Sequence, residues 1–419
     1  MERGINKLPK DWKIVKVADI ANLYRGINYT KDVASNAPFN GGLPILRGNN
    51  INGDLNFEDL VYVPQSLIKN EQIIKKDDII FAMSSGSKHL VGKSAVAKND
   101  FQGSYGAFCA MLRVNNEVNK KFVSYIFKGN AYRKLISEIA KGTNINNLKR
   151  EHILDFEVLL PPIKTQQFIV SKIEELFSEL DKGIENLKKA QQQLKTYRQA
   201  VLKWAFEGKL TNKNVKEGEL PKGWELRELK EVCEIKRGKS KHRPRNEPFL
   251  YGGKYPFIQT GDIRSANGGY IITYSQTYSE IGLQQSKLWP KGTLCITIAA
   301  NIGETAILGF DACFPDSVVG LLAKENVLVN KYTNYFFISY KQRLEELAPA
   351  TAQKNINVDI LEKVKIPLAP FEEQVFIIQE IENRLSVADK MEESINQSLQ
   401  QAEALRQSIL KRAFEGRLV

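Results

Sequence analysis

The densest run of chemistry-bearing side chains in this sequence is Lys236 to Arg245, KRGKSKHRPR, where six of ten residues are Lys or Arg. Cations at that density suit the phosphates of a nucleic acid: neutralising them releases counterions and makes affinity fall with salt. A solvated charged face is the plain alternative. Within the run, Arg237, Lys239, Lys241, Arg243 and Arg245 are the phosphate candidates, and the first half of the chain adds the thinner set Arg25, Lys31, Lys88 and Lys93. Groups able to read base edges accompany them, because an Arg fork fits guanine and an Asn or Gln amide fits adenine. These are Arg47, Asn49 and Asn50 in one stretch, and Gln259, Thr260, Asp262 and Arg264 in another. Ser84, Ser85 and Ser87 stand in a loop whose later counterpart carries Asn301. Turn formation accounts for any one of these polar residues equally well. Asn144 and Asn146, matched to Asn355 and Asn357, lean toward capping, since they keep their identity where specificity should vary.

Catalytic constellations are missing. Leu160-Pro161-Pro162-Ile163 lacks the polar first residue and the stacking ring of an adenine methyltransferase motif. Gly86-SKHLV-Gly92-Lys93-Ser94 resembles a phosphate loop but has five residues between its glycines where four are needed. Pro315-Asp316 could open a nuclease motif, yet no Glu-x-Lys follows. His89, His152 and His242 are widely separated, and Cys109, Cys233, Cys295 and Cys313 show no metal-ligand spacing. They read as reduced, buried thiols of a cytosolic protein. A formal charge of +12 and a pI near 9.2 fit an acidic partner. The N-terminus lacks the apolar core of a signal peptide, and no run reaches the roughly 18 apolar residues of a membrane span. The expectation is a cytoplasmic, non-membrane chain with no catalysis of its own.

The elements that must position these side chains occur twice. LPPIKTQQFIVSKIEELF, from Leu160, returns as LAPFEEQVFIIQEIENRL from Leu368, so that Gln166 matches Gln374, Asp181 matches Asp389 and Arg198 matches Arg406. AFEG at Ala205 to Gly208 returns at Ala413 to Gly416, and LPKDW at Leu8 to Trp12 returns as LPKGW at Leu220 to Trp224. Such repetition fixes the architecture: a mixed domain at 1–160, a long helix at 161–210, a polar linker at 211–219, a second mixed domain at 220–368 and a second long helix at 369–419. Prolines precede each helix. Ile173, Phe177, Leu180, Ile184, Leu187, Leu194 and Val201 follow coiled-coil spacing, as do Ile381, Leu385, Ala388, Ile395, Leu399, Ala402 and Ile409. Gln191, Arg198, Glu392 and Arg406 interrupt the seam. Each helix would run roughly 65 Å, and burying its stripe requires that the two pack on each other, antiparallel. Short β-rich runs bounded by turns fill both domains, and Asn119 to Lys141 has helical periodicity. The fold class is therefore α+β: two mixed α/β domains separated by two long antiparallel coiled-coil helices, in a pseudo-twofold internal repeat.

Duplicated in this order, LPKDW/LPKGW, LRGNNI/IQTGDI, LLPPIKTQQ/PLAPFEEQ and AFEGKL/AFEGRL resemble the specificity subunit of Type I restriction–modification systems over nearly the whole chain. Thr165, where Glu373 stands in the second copy, departs from the usual Pro-Pro-x-x-Glu-Gln and puts an exposed Glu contact there in doubt. The resemblance implies two target-recognition domains, each reading half of a split DNA site, with the helices as a ruler for the unread spacer. It further implies two adenine-N6 methyltransferase subunits that bind adenosylmethionine, and restriction or translocase subunits that use ATP and Mg; this chain would bind none of these cofactors. Docking surfaces are expected around Glu174, Lys182, Arg198, Glu382, Lys390 and Arg406, with coiled-coil register as the other role for the two arginines. A stand-alone regulator reading a two-part operator, a coiled-coil scaffold that binds no DNA, and an enzyme of unrecognised type remain open at this point.

Overall fold

The computed structural model describes residues 11–84, 91–142, 147–212, 214–299, 301–348 and 355–418. Two compact units emerge, Met1–Leu187 with Gln397–Val419, and Lys188–Asn396. These units cut each long helix in two, where the sequence boundaries keep it whole. Every unit holds one mixed domain, the first half of one long helix and the second half of the other.

In the first unit, β1 (Lys13–Lys16) pairs antiparallel with β9 (Glu157–Leu160), so the domain closes on the strand that leads into its long helix. The main sheet contains β2 (Ala21–Arg25), β5 (Ile79–Ala82), β6 (Ser94–Val96) and β8 (Cys109–Val114), in the antiparallel order β2-β8-β5-β6. A smaller sheet joins β3 (Gly42–Leu46), β4 (Val61–Pro64) and β7 (Ser104–Tyr105). The twofold alternation of a strand explains the layering. Ile79 and Phe81 face a core shared with Leu112, Phe122 and Ile173, whereas Ile80 and Ala82 face one shared with Leu46, Ile51 and Tyr105. Both faces are covered, and all four β5 side chains are fully buried. Asn119 caps α1 (Lys120–Lys128) by accepting from the Phe122 amide at 3.0 Å. The helix expected over 119–141 is in fact two, because Gly129 adopts an extended backbone before α2 (Asn130–Gly142).

The second unit repeats the plan. β10 (Glu225–Glu228) pairs with β18 (Lys365–Leu368), and the main sheet of β11 (Cys233–Arg237), β13 (Tyr270–Ile271), β15 (Leu294–Thr297), β16 (Thr305–Leu308) and β17 (Val318–Ala323) runs β11-β17-β15-β16-β13. Leu294 and Ile296 face a helix-covered core while Cys295 faces the opposite one. A separate two-stranded antiparallel sheet of β12 (Tyr251–Phe257) and β14 (Gln276–Tyr278) packs on α5 (Glu280–Gln284), while α4 (Thr260–Ala266) packs on the main sheet. The helix α6 (Asn330–Glu346) takes the place of α1 and α2.

The two long helices, α3 (Ile163–Phe206) and α7 (Phe371–Phe414), have 44 residues each. Gln166 and Gln374 explain how they are set. Buried, Gln166 accepts from the Asn119 amide and donates to the Pro161 carbonyl, both at 2.8 Å. Gln374 accepts from the Val329 amide at 3.0 Å and donates to Val327 and Ala369 carbonyls at 2.9 and 2.8 Å. One side chain thus ties the first turn of each long helix to the start of its domain's own helix. Glu373 is engaged as well, accepting from Trp224 Nε1 at 3.0 Å and Thr211 Oγ1 at 2.6 Å. The AFEG exits bury Ala205 and Phe206 in the second unit's core, with Phe206 edge-on to Tyr332 and Phe336, and Ala413 in the first unit's. Gly208 and Gly416 then take positive φ and end the helices.

Within each unit the helix halves run antiparallel. Arg406 pairs with Asp181 in the first unit; in the second, Arg198 pairs with Asp389 at 2.6 Å and Glu392 at 2.9 Å, and Gln191 donates to Asn396 at 3.1 Å. The polar residues that interrupt the apolar seam therefore answer one another.

Candidate nucleic-acid interface

The strand-turn LRGNN/IQTGD is the best-defined candidate in both units. Asn50 is 1% exposed. Its Oδ1 accepts from the Arg47 amide and its Nδ2 donates to the Glu58 carbonyl, each at 2.8 Å. Asp262, at the matched position, accepts from the Gln259 amide at 2.8 Å and from Ser275 Oγ at 3.3 Å. Both were candidates for base reading: Asn50 is instead a buried internal brace of the turn, and Asp262 braces its turn while staying half-exposed. The brace holds out Arg47 and Asn49 in one unit, and Gln259, Thr260 and Arg264 in the other. Arg47 leans on the Asp59 carbonyl at 2.7 Å and Gln259 on Gln276 at 2.5 Å, while Asn49, Thr260 and Arg264 carry no side-chain partner among the described residues. A Cβ built on Gly48 would lie 3.8 Å from the Ser84 carbonyl, so this turn and the start of the serine loop are neighbours. Ser85, Ser87 and Lys88 lie outside the described residues, as do Asn144 and Asn146. Ser84 bridges Asn147, and Ala299 bridges Asn355, which makes Asn147 the counterpart of Asn355 and corrects the matching of Asn144. Asn357 is a cap, accepting from the Ile360 amide at 2.9 Å.

Arg25 and Arg237 occupy equivalent ends of β2 and β11, opposite Ala110 and Val319. The glycine after each is fixed by close packing: a Cβ on Gly26 would fall 2.0 Å from the Gly106 carbonyl oxygen, and one on Gly238 2.3 Å from that of Pro315. Arg25 and Lys31 are exposed, and Lys93 donates to Asn52 at 2.7 Å.

The basic run is folded, not a loose arm. Lys239 is anchored by its carbonyl to Ser286 Oγ at 2.8 Å, and the His242 amide donates to Gln285 Oε1 at 3.0 Å. Arg245 Nη2 donates to both carboxylate oxygens of Asp316 at 2.7 Å, Arg243 Nη2 stands 3.8 Å from the same carboxylate, and Arg237 Nε donates to the Asp316 carbonyl. Arg243 Nη1 also donates to the Ser240 and His242 carbonyls. Lys239 and Lys241 point to solvent without partners among the described residues, and Asn301 is exposed in the later loop. Lys287, which the sequence reading passed over, joins this patch 3.9 Å above the Trp289 ring. Burial holds its ammonium pKa below the usual lysine range; Glu234 opposes the shift, while Lys236 and Lys239 add to it. Phe108 was also missed. It is 69% exposed, and its carbonyl accepts from the Met83 and Ser84 amides, so a residue with a bare aromatic ring adjoins Ser84.

The expected docking residues are mostly engaged within their own units. Glu174 binds Lys121 at 2.6 Å, Glu382 binds Lys331, Lys182 binds Glu179 at 3.2 Å, and Arg198 and Arg406 form the helix clasps. Lys390 stands exposed. The Glu174, Glu382, Arg198 and Arg406 pairs seat each long helix on its domain or on the other helix, whereas Lys182 pairs within its own helix and stays exposed. Missed instead were Phe168 and Phe376, matched residues on the second turns of α3 and α7, exposed by 54% and 51%.

All four cysteines are buried, and burial pushes the Cys109 and Cys233 thiols up to about 12, which removes the reactive thiolate at neutral pH. Among the described residues no group of His, Cys, Asp or Glu is arranged to hold a metal, and no helix is long and apolar enough to cross a membrane.

The family model for the Type I restriction modification DNA specificity domain matches twice, over residues 9–193 and 221–403. The chain belongs to this family of specificity subunits. It is 31% identical to the Type I restriction enzyme EcoKI specificity subunit of Escherichia coli K12, over 98% of this chain and 90% of that protein. Identity to the StySPI specificity subunit of Salmonella potsdam is 30%, over 100% and 91%. Two solved chains share the fold of this specificity subunit. One, from a structure describing complex assembly and conformational transition of the type I R-M system, gives a TM-score of 0.75 at 19% identity, covering 98% of this chain and 99% of that one. The other, the HsdS subunit from Thermoanaerobacter tengcongensis, gives 0.61 at 20% identity over 99% of both. The two matched segments each combine a recognition domain with most of its long helix, so the repeat seen in the sequence is the family's domain present twice.

Proposed function

We propose that this chain is the DNA-reading subunit of a Type I restriction–modification complex, each recognition domain reading one half of a bipartite target. The observation that carries this is the braced turn: Asn50 and Asp262 each hold the amide three residues back, at the entry to a 3-10 turn in one unit and a helix in the other, while the side chains presented differ, Arg47 and Asn49 against Gln259, Thr260 and Arg264. One scaffold with two sets of base-edge donors is what two different half-sites require. Ser84 and Asn301 complete the reading surfaces, and the basic run, with Arg25, Lys31 and Lys93 in the first unit, supplies the phosphate contacts that set register without reading sequence. The long helices set the unread spacer, as fixed geometry sets half-site spacing in dimeric readers.

The chemistry belongs to partners in this reading. Two adenine-N6 methyltransferase subunits carry adenosylmethionine, and a restriction or translocase subunit carries ATP and Mg, while this chain recognises DNA in the prokaryotic cytoplasm without catalysing a reaction. The matched exposed rings Phe168 and Phe376 support two copies of one partner, because a repeated apolar contact on both helices suits a repeated subunit. Lys390 lies exposed on one of those helices, beside the clasp that Arg198 makes with Asp389 and Glu392.

The test is co-expression with the modification subunit and mapping of methylated adenines in host DNA. Two short defined halves around a fixed undefined gap are expected. A continuous motif, or no modification, would overturn the two-reader assignment.

A further inference from the structure

We propose that Asp316 is a positioning residue that holds Arg237, Arg243 and Arg245 in one fan facing a DNA phosphate; this rests on the DNA-reading function proposed above. Three guanidiniums meet at this one residue, Arg245 and Arg243 at its carboxylate and Arg237 at its carbonyl. Fold stability does not explain the cluster. The side chains of Asp316, Arg245 and Arg243 are 34%, 45% and 55% exposed, and ion pairs so wet contribute little to folding. Three cations around one acid also leave an excess of positive charge, to which Lys239 and Lys287 add from the neighbouring segment. Among the described residues, Nε and Nη1 of Arg245 and both Nη groups of Arg237 have no partner. Planar forks with free N–H groups, already fixed in direction, are the arrangement that captures a phosphate at low entropic cost.

The equivalent turn of the first unit sharpens the point. Strand register sets Ala110 opposite Arg25 and Val319 opposite Arg237, which makes Ala107 the counterpart of Asp316. The acid is absent where the arginine stands alone, and present where three arginines crowd. Pro315-Asp316, which led to no nuclease motif, thereby acquires a role.

The experiment measures binding of the full chain to a short duplex carrying the split site mapped in host DNA, and to a scrambled duplex, over a salt series. Variants are Asp316→Ala, the near-isosteric Asp316→Asn, Arg245→Ala, and Arg243→Ala/Arg245→Ala with and without Asp316→Ala. Loss of the carboxylate that positions Arg243 and Arg245, with the carbonyl contact to Arg237 kept, should weaken site binding about tenfold in Asp316→Ala, with an unchanged salt slope because no phosphate contact is deleted. Arg245→Ala should lower the slope by about one contact. In the double-arginine background Asp316→Ala should add little. Tighter binding by Asp316→Ala and Asp316→Asn would overturn the proposal, showing an acid that competes with phosphate. Unchanged binding, or a full effect without the arginines, would overturn it equally. A wild-type chain that binds neither duplex sinks the DNA-reading function itself, and the positioning role with it.

Discussion

Replacing Asn50 tests whether the recognition turn is braced from inside. The residue is 1% exposed, and both ends of its amide are used. Asn50→Ala leaves the Arg47 N–H and the Glu58 carbonyl without partners at a part-buried site. Each orphaned group costs about 1–3 kcal/mol, and partial relaxation at the surface side of the turn favours the lower half, so the loss should be about 3 kcal/mol. At about 2–4 °C per kcal/mol for a unit of this size, the melting transition of the first unit should fall by roughly 6–12 °C. Asn50→Asp separates the two bonds. The new carboxylate still accepts from Arg47, but an oxygen replaces the amide nitrogen that stood 2.8 Å from the Glu58 carbonyl. That repulsion disfavours the ionised form, raising the folded-state pKa above the unfolded value of about 3.9. The folded state then binds more protons than the unfolded state, so stability rises as pH falls through the folded pKa. The deficit is full above that pKa and shrinks below it, where the protonated acid donates to Glu58. Asn49→Ala, one residue away and exposed, should stay within about 0.5 kcal/mol of wild type. Calorimetry from pH 7 to pH 4.5 reads all three variants. Equal melting of Asn49→Ala and Asn50→Ala, or an Asn50→Asp deficit that does not change with pH, would refute the bracing role and return Asn50 to the reading surface.

Two further outcomes follow from the long helices. Gln374→Ala removes one acceptor and two donor contacts at a fully buried site and should cost about 2–4 kcal/mol, read as a lower urea midpoint at constant m; a midpoint within error of wild type would show that the glutamine is not the tie. The Arg198 clasp is half-exposed, so a double-mutant cycle of Arg198→Ala with Asp389→Ala should return a coupling of only about 0.5–1 kcal/mol that weakens in high salt; a coupling above that range, or one that salt leaves unchanged, would mean a desolvated register lock.

Much of the architecture was legible because it is repeated. Gaps between matched letters stayed constant from Gln166/Gln374 to Gly208/Gly416, and an amphipathic stripe with a seven-residue period admits few interpretations other than a long packed helix. What stayed hidden was direction. Asn49 and Asn50 are adjacent and identical, yet one faces solvent and the other braces the turn, and no composition rule separates them. The signal lay in comparing the two halves: Asn50 and Asp262 share only an acceptor oxygen, which is the atom the brace needs. Arg198 looked equally suited to a partner or to register, since its partners Asp389 and Glu392 are remote in sequence. The single helix expected over 119–141 failed at Gly129, where periodicity on both sides concealed a break that the glycine alone announced.

The turns before β8 and β17 carry the more general point. Gly-Ala-Phe at 106–108 and Pro-Asp-Ser at 315–317 share no letter, so no alignment by identity would pair them. Strand register does, because Arg25 and Arg237 sit opposite corresponding positions, and because Gly26 and Gly238 each press against the first carbonyl of the turn. At that common place one unit exposes the Phe108 ring and the other gathers arginines around Asp316. Backbone demands are met by glycine, and the side chains at the apex are left free to differ. A reader that must change its target without refolding needs that division of labour, and in this chain it falls at the braced turn and at the strand turn alike.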